Sequence, residues 1–134
     1  DDCFDALKSG DYEDISSLID VESFADSYIL NELFKTTDVY MSSFYIYKDA
    51  GGKLCAGPIW DYDLSSGNCP YDNHSTETDY LYAKKNVFYR ELLKNDEFEE
   101  LVSEKLAGYK TYIKTKIVEL VDDLEIEFGK KIRK

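Results

Sequence analysis

The hydrophobic period of the chain changes between Ser43 and Trp60, and that change constrains the fold more than any other feature. Phe44-Tyr45-Ile46-Tyr47 is dense in aromatic and β-branched residues, and Lys53 to Trp60 makes a second extended run. Asp49-Ala50-Gly51-Gly52 lies between them, where glycine supplies the backbone freedom a tight reversal needs. The pattern predicts one β-hairpin over residues 43–60. On both sides the apolar residues recur at helical spacing. The expected fold is therefore α+β, mostly helical, with a single hairpin in the middle.

Residues 1–37 read as helices. Asp2 to Lys8 is a short one closed by Gly10, and Tyr12 to Ile19 is a second. Asp20 has the chemistry of an N-cap for a third, in which Val21, Phe24, Ala25, Tyr28, Ile29, Leu33 and Phe34 share a face. Glu22 in its first turn suits the helix dipole, and the β-branched pair Thr36-Thr37 predicts its end. Residues 64–80, rich in Gly, Asn, Pro, Ser, Thr and Asp, predict a long loop, a kind that in compact domains is usually functional or mobile. Residues 86–134 return to helix. Asn86 to Lys94 is one segment, and Asn95 caps the next, with Phe98, Leu101, Val102 and Leu106 on one face. Tyr109, Tyr112, Ile113, Ile117, Leu120, Val121 and Leu124 continue the stripe past an expected break near Gly108, and Gly129 is the expected C-cap before a basic tail.

Composition excludes several function classes. At 134 residues, 43% hydrophobic and 15% aromatic, the chain has the material for a real core and is one domain or part of one. Its formal charge of −12 opposes binding to nucleic acid or an anionic membrane and favours cations or basic partners. No apolar stretch approaches the roughly 20 residues of a membrane-spanning segment, and Asp1-Asp2-Cys3 has no basic signal-peptide start. Cys3, Cys55 and Cys69 match no zinc spacing; Cys55 and Cys69 flank a chain reversal where they either pair or remain free thiols.

The chemistry concentrates in Asp61-Tyr62-Asp63, placed after Pro58-Ile59-Trp60 and before the turn Leu64 to Asn68. Two carboxylates that close raise each other's pKa unless a positive group neutralises them. A hard divalent ion is the natural neutraliser, and Mg²⁺ takes one or two carboxylates plus phosphate oxygens. The bland alternative is a turn acid followed by a cap, common for aspartate. An EF-hand loop fits poorly, because the glycine falls at Gly67 and the twelfth position is Asp72 rather than a bidentate Glu. His74, in a polar loop, is expected to be an exposed bystander, and Phe44, Tyr45 and Tyr47 are expected to pack in the sheet and core.

Asp38 adds a third acid. In protein kinases a catalytic-loop Asp is followed by Asn five residues later, and a metal-binding acidic motif comes after a short hairpin. Here Ser43 stands five residues after Asp38, and Asp61-Tyr62-Asp63 follows the hairpin.

The chain also resembles the CotH-type (spore coat protein H) atypical kinases. The stretches that carry the likeness are Ile19 to Phe24, Asn31-Glu32-Leu33-Phe34-Lys35, Phe44 to Asp49, and above all Gly57-Pro58-Ile59-Trp60-Asp61-Tyr62-Asp63-Leu64; Phe88 to Leu93 with Asn95 to Phe98 extends it. The resemblance implies the kinase-like C-terminal lobe of a larger domain that transfers phosphoryl from ATP to Ser or Thr of a protein substrate, with Mg²⁺ or Mn²⁺. On that reading Asp61 and Asp63 are metal ligands, Asp38 is the catalytic proton acceptor or substrate-positioning group, and Ser43 takes the cofactor-binding place where many members carry Asn. No glycine-rich phosphate loop or strand lysine precedes Asp38, so the nucleotide-binding lobe is expected to lie elsewhere and this part alone to be inactive. The family also implies an extracellular, cell-surface or spore-coat location. The rival is a non-catalytic coat or surface module with a degenerate site.

Overall fold

The computed structural model describes the backbone of residues 2–77 and 79–132, with side chains as far as Leu120 and at Asp122. Three helices come first: α1 (Asp2–Ser9), α2 (Tyr12–Leu18) and α3 (Val21–Leu33). A hairpin follows, β1 (Ile46–Lys48) against β2 (Leu54–Ala56), and then a long loop. A 3-10 turn over Ala83–Lys85 leads into α4 (Val87–Leu92) and α5 (Asp96–Ile132). The expected mostly helical α+β architecture is observed.

Short polar side chains fix where helices begin. Asp11 accepts from the Asp14 N–H at 3.0 Å to start α2, and Asp20 accepts from the Ser23 N–H at 3.1 Å to start α3. Asn86 accepts from the Phe88 N–H at 2.9 Å, and Asn95 from the Glu97 N–H at 3.2 Å. Gly10, in the left-handed region at φ 74°, closes α1 as expected.

The end of α3 differs from the sequence expectation. It stops at Leu33, before Thr36, because Lys35 adopts φ 53° and completes a Schellman cap. The Thr36 N–H donates to Asn31 O at 3.0 Å and the Lys35 N–H to Glu32 O at 3.3 Å, the paired bonds of that motif. Glycine is the usual residue there, so a lysine gave no signal.

The strands are shorter than the predicted runs, three residues each in antiparallel register Ile46↔Ala56, Tyr47↔Cys55 and Lys48↔Leu54. Gly57 at φ 121° and Pro58, which has no N–H, take the chain out of the ladder. A lone hairpin is marginal in water, and this one is stitched to α3. The Asp20 N–H donates to Leu54 O at 2.9 Å, and the Ala56 N–H to Ser23 Oγ at 3.0 Å.

Two compact units result, Asp1–Val102 and Ser103–Lys134. The first has an aromatic core in which Phe24, Tyr89 and Phe98 are fully buried. The Phe24 ring meets Phe88 at 5.6 Å, and Phe44 meets Tyr89 at 5.3 Å. Phe44 thus packs as expected, whereas Tyr45 and Tyr47 are exposed. The second unit is helical, the continuation of α5, and Tyr112, Ile117, Val118 and Leu120 are exposed on it. The helix runs unbroken through Gly108 and Gly129, because one interior glycine costs only about 1 kcal/mol relative to alanine. The side chains of Val121 and Leu124, and residues Arg133 and Lys134, lie outside the described residues. Among those described, no helix is long and apolar enough to cross a membrane.

Candidate functional site

The last turn of α3 and the segment after it build the first wall of the site. Thr36 and Thr37 are buried, Val39 is fully buried, and Asp38 is held half-buried between them. The α4 cap reaches back to this segment, with Asn86 Nδ2 donating to Val39 O at 3.1 Å. Asp38 Oδ2 accepts from Ser43 Oγ at 2.5 Å and from Ser42 Oγ at 3.2 Å. Its other oxygen, Oδ1, is buried and has no partner among the described residues. A buried carboxylate oxygen is costly to leave unpaired.

The hairpin delivers the second wall. After β2 the chain leaves through Gly57 to Trp60, and Asp61 takes the left-handed conformation at φ 63°, which aspartate tolerates better than most residues. The following turn is tied down by its own serines and by α3. Ser65 Oγ donates to Tyr62 O at 2.6 Å, the Ser66 N–H to Phe34 O at 2.5 Å, and Thr37 Oγ1 to Leu64 O at 3.2 Å. Asn68, whose spacing from Asp63 imitates a catalytic loop, instead donates through Nδ2 to Asp63 O at 2.7 Å.

Asp61 senses all the other predicted residues. Its hydrogen bond to the Asp63 carboxyl raises its pKa above the usual aspartate value, and slight desolvation and the charges of Asp63 and Asp38 push the same way. The Ser43 hydroxyl, also hydrogen-bonded to it, opposes the rise. The structure therefore brings Asp61 and Asp63, from the segment after β2, to Ser43 and the charge of Asp38, from the segment after α3. Every donor in the set is oxygen, the preference of Mg²⁺ or Mn²⁺. Among the described residues, however, no group of three His, Cys, Asp or Glu is arranged to hold a metal unaided.

Several residues that tie the site together gave no sequence signal of that role, although four of them lie in the Asn31 to Lys35 stretch. Asn31 Oδ1 accepts from Tyr62 OH at 3.3 Å, and the Phe34 ring meets the Tyr62 ring edge-on at 5.6 Å. Glu32 accepts from the N–H groups of Tyr82 at 3.0 Å, Ala83 at 2.8 Å and Lys84 at 3.3 Å. Lys35 Nζ donates to Tyr80 O. One helix turn thus grips both ends of the loop over residues 61–82.

His74 is exposed, as expected, but has partners. It stacks on Tyr80 at 4.3 Å and 3° and pairs through Nδ1 with Glu77 Oε2 at 2.8 Å, while Lys85 Nζ lies over the rings of Tyr40, Tyr80 and Tyr82. The three cysteines are free thiols, so Cys55 and Cys69 are not bridged; Cys55 Sγ faces Asp20 Oδ2 at 3.7 Å. Beside the acids, Leu30, Phe34, Ile59, Tyr62, Ser65 and Ser66 line an open apolar groove of about 460 Å³.

No curated protein and no solved structure matches the chain significantly. A family model described as CotH kinase protein matches residues 4–134. That match takes in the hairpin, the acidic motif and the flanking helices alike, and the chain belongs to the CotH family.

Proposed function

We propose that this chain supplies the acidic, metal-holding side of an ATP-dependent phosphoryl-transfer site acting on protein Ser or Thr, in the manner of a kinase C-terminal lobe. The observation that carries the reading is the convergence of Asp38, Ser43 and the Asp61/Asp63 pair, with one buried Asp38 oxygen left without a partner among the described residues. Asp61 and Asp63 would hold Mg²⁺ or Mn²⁺, whose remaining ligands would be phosphate oxygens and water. When bound, the ion would supply charge neutralisation for the phosphates, the main demand of phosphoryl transfer. Asp38 faces the acceptor hydroxyl and takes its proton, and Ser43 orients the Asp38 carboxylate through the 2.5 Å hydrogen bond. A spore-coat or surface location accords with the family.

A second reading is favoured by one observation. The described acids converge without forming a three-carboxylate cage, as expected of a coat or surface module that keeps the fold and has lost turnover. Labelled-ATP transfer by the full-length protein with Mn²⁺, wild type against Asp61→Ala, separates the two. Loss of labelling in a folded Asp61→Ala variant supports the kinase reading, and equal labelling in both removes Asp61 from it. No labelling by folded wild type favours the coat module.

A further inference from the structure

We propose that Asn31 is a positioning residue that fixes the Asp61/Asp63 pair against Asp38 through Tyr62, an inference that rests on reading those acids as a cation site. Asn31 works in both directions at once. Its backbone carbonyl accepts the Thr36 N–H at 3.0 Å, the bond that turns the chain out of α3 toward Asp38. Its side-chain oxygen accepts Tyr62 OH at 3.3 Å, and Tyr62 is the residue between the two acids.

The amide itself cannot swing. Asn31 is 5% exposed, and its Nδ2 donates to Ser27 O at 2.8 Å and contacts Ser27 Oγ at 3.4 Å, one helical turn earlier. Ser27 Oγ is held in turn by Tyr89 OH at 2.7 Å, from α4. The Tyr62 and Tyr89 hydroxyls are the donors in these two bonds. An asparagine fits because one short side chain must both donate to Ser27 and accept from Tyr62. On the other side, the Phe34 ring and the Ser65 hydroxyl hold the ring and carbonyl of Tyr62. The acid pair therefore inherits its place from α3 rather than from its own loop, the support that metal ligands generally need.

The test uses the full-length protein, with Tyr62→Phe, Asn31→Ala and the double variant. Mn²⁺ dissociation constants are read by electron paramagnetic resonance of the free ion, and thermal midpoints are recorded beside them. Each single variant is expected to raise the dissociation constant about tenfold, within the range for lost metal-site support. The double variant should do no more to the constant than either, because the Asn31–Tyr62 bond is already lost in each. A residue that merely stabilises the fold would lower the midpoint and leave the constant unchanged well below it. An unchanged constant in folded Tyr62→Phe, or a multiplied effect near a hundredfold in the double variant, overturns the proposal. Should Asn31→Ala fail to fold, Tyr62→Phe, which keeps its ring on Phe34, decides alone. If wild type binds no Mn²⁺, the cation reading fails separately. Amide exchange at Ser66, whose N–H donates to Phe34 O, then judges the clamp: tenfold faster in Tyr62→Phe supports it, and no change refutes it.

Discussion

Replacing Glu32 by Gln tests whether one carboxylate fastens the far end of the site loop to α3. Glu32 Oε2 accepts from the Tyr82 N–H, and Oε1 from the Ala83 and Lys84 N–H groups. Tyr82 and Ala83 are fully buried, so water cannot replace a lost acceptor. Glutamine offers one carbonyl and one amide donor. Its better orientation keeps Ala83 and Lys84 and turns the NH₂ toward the Tyr82 N–H, which costs about 2 kcal/mol for one buried donor left unpaired. For a chain of this size that lowers the thermal midpoint by roughly 8 °C. The pH dependence has a definite sign. Burial raises the Glu32 pKa above its ordinary value of 4.5, outweighing the three N–H bonds and Lys35, which lower it. The folded state then binds more protons than the unfolded state in the window above 4.5, and wild-type stability falls as pH rises through that window. The glutamine variant lacks this slope, so the stability gap between the two should narrow from pH 4 to pH 7, followed by circular dichroism melts. A gap that widens with pH refutes the reasoning, because the N–H bonds would then outweigh burial.

Asn86→Ala removes both the α4 cap and the bond to Val39 O, and a loss of about 2 kcal/mol is expected in urea melts, with faster amide exchange along residues 38–42. Phe24→Ala empties the aromatic core between Phe44, Phe88 and Tyr89 and should destabilise by about 4 kcal/mol, measured the same way. Asp61→Asn relieves the contact with Asp63 and Asp38 that raises the Asp61 pKa, so in chelator at pH 7 its thermal midpoint should lie above that of wild type, with the gap closing as pH falls through the window above the ordinary aspartate value of 3.8.

What was legible in the sequence was local chemistry. The caps at Asp20 and Asn95 are read from one side chain and the backbone two or three residues on. The hairpin turn is set by glycine, with Gly51 at φ 75°. The end of α3 escaped because the left-handed cap position holds Lys35, and the tertiary bond from Lys35 to Tyr80 O that helps hold it there joins residues far apart in the sequence. The strand ends escaped for a related reason. Tyr45, Ile59 and Trp60 have strand-like side chains, but the pairing ends with the Gly57 N–H on Tyr45 O and all three remain on the surface.

The acids themselves stood out in the sequence because like charges at close spacing are anomalous wherever they occur, and the structure sets Asp61 against Asp63 and Ser43 within reach of the Asp38 charge. Their scaffold was not, because its bonds span 31 residues from Asn31 to Tyr62, 45 from Lys35 to Tyr80 and 50 from Glu32 to Tyr82. No periodicity reports a partner that far away. The same separation explains why the motif can exist. Asp61 sits in a left-handed conformation with its carboxyl against another, an arrangement the loop alone would relax. Helix α3, buried through Phe24, Tyr28 and Ile29, is rigid enough to impose it. The strained pair and the helix turn that grips it are one device, and a substitution in either should be felt at the other.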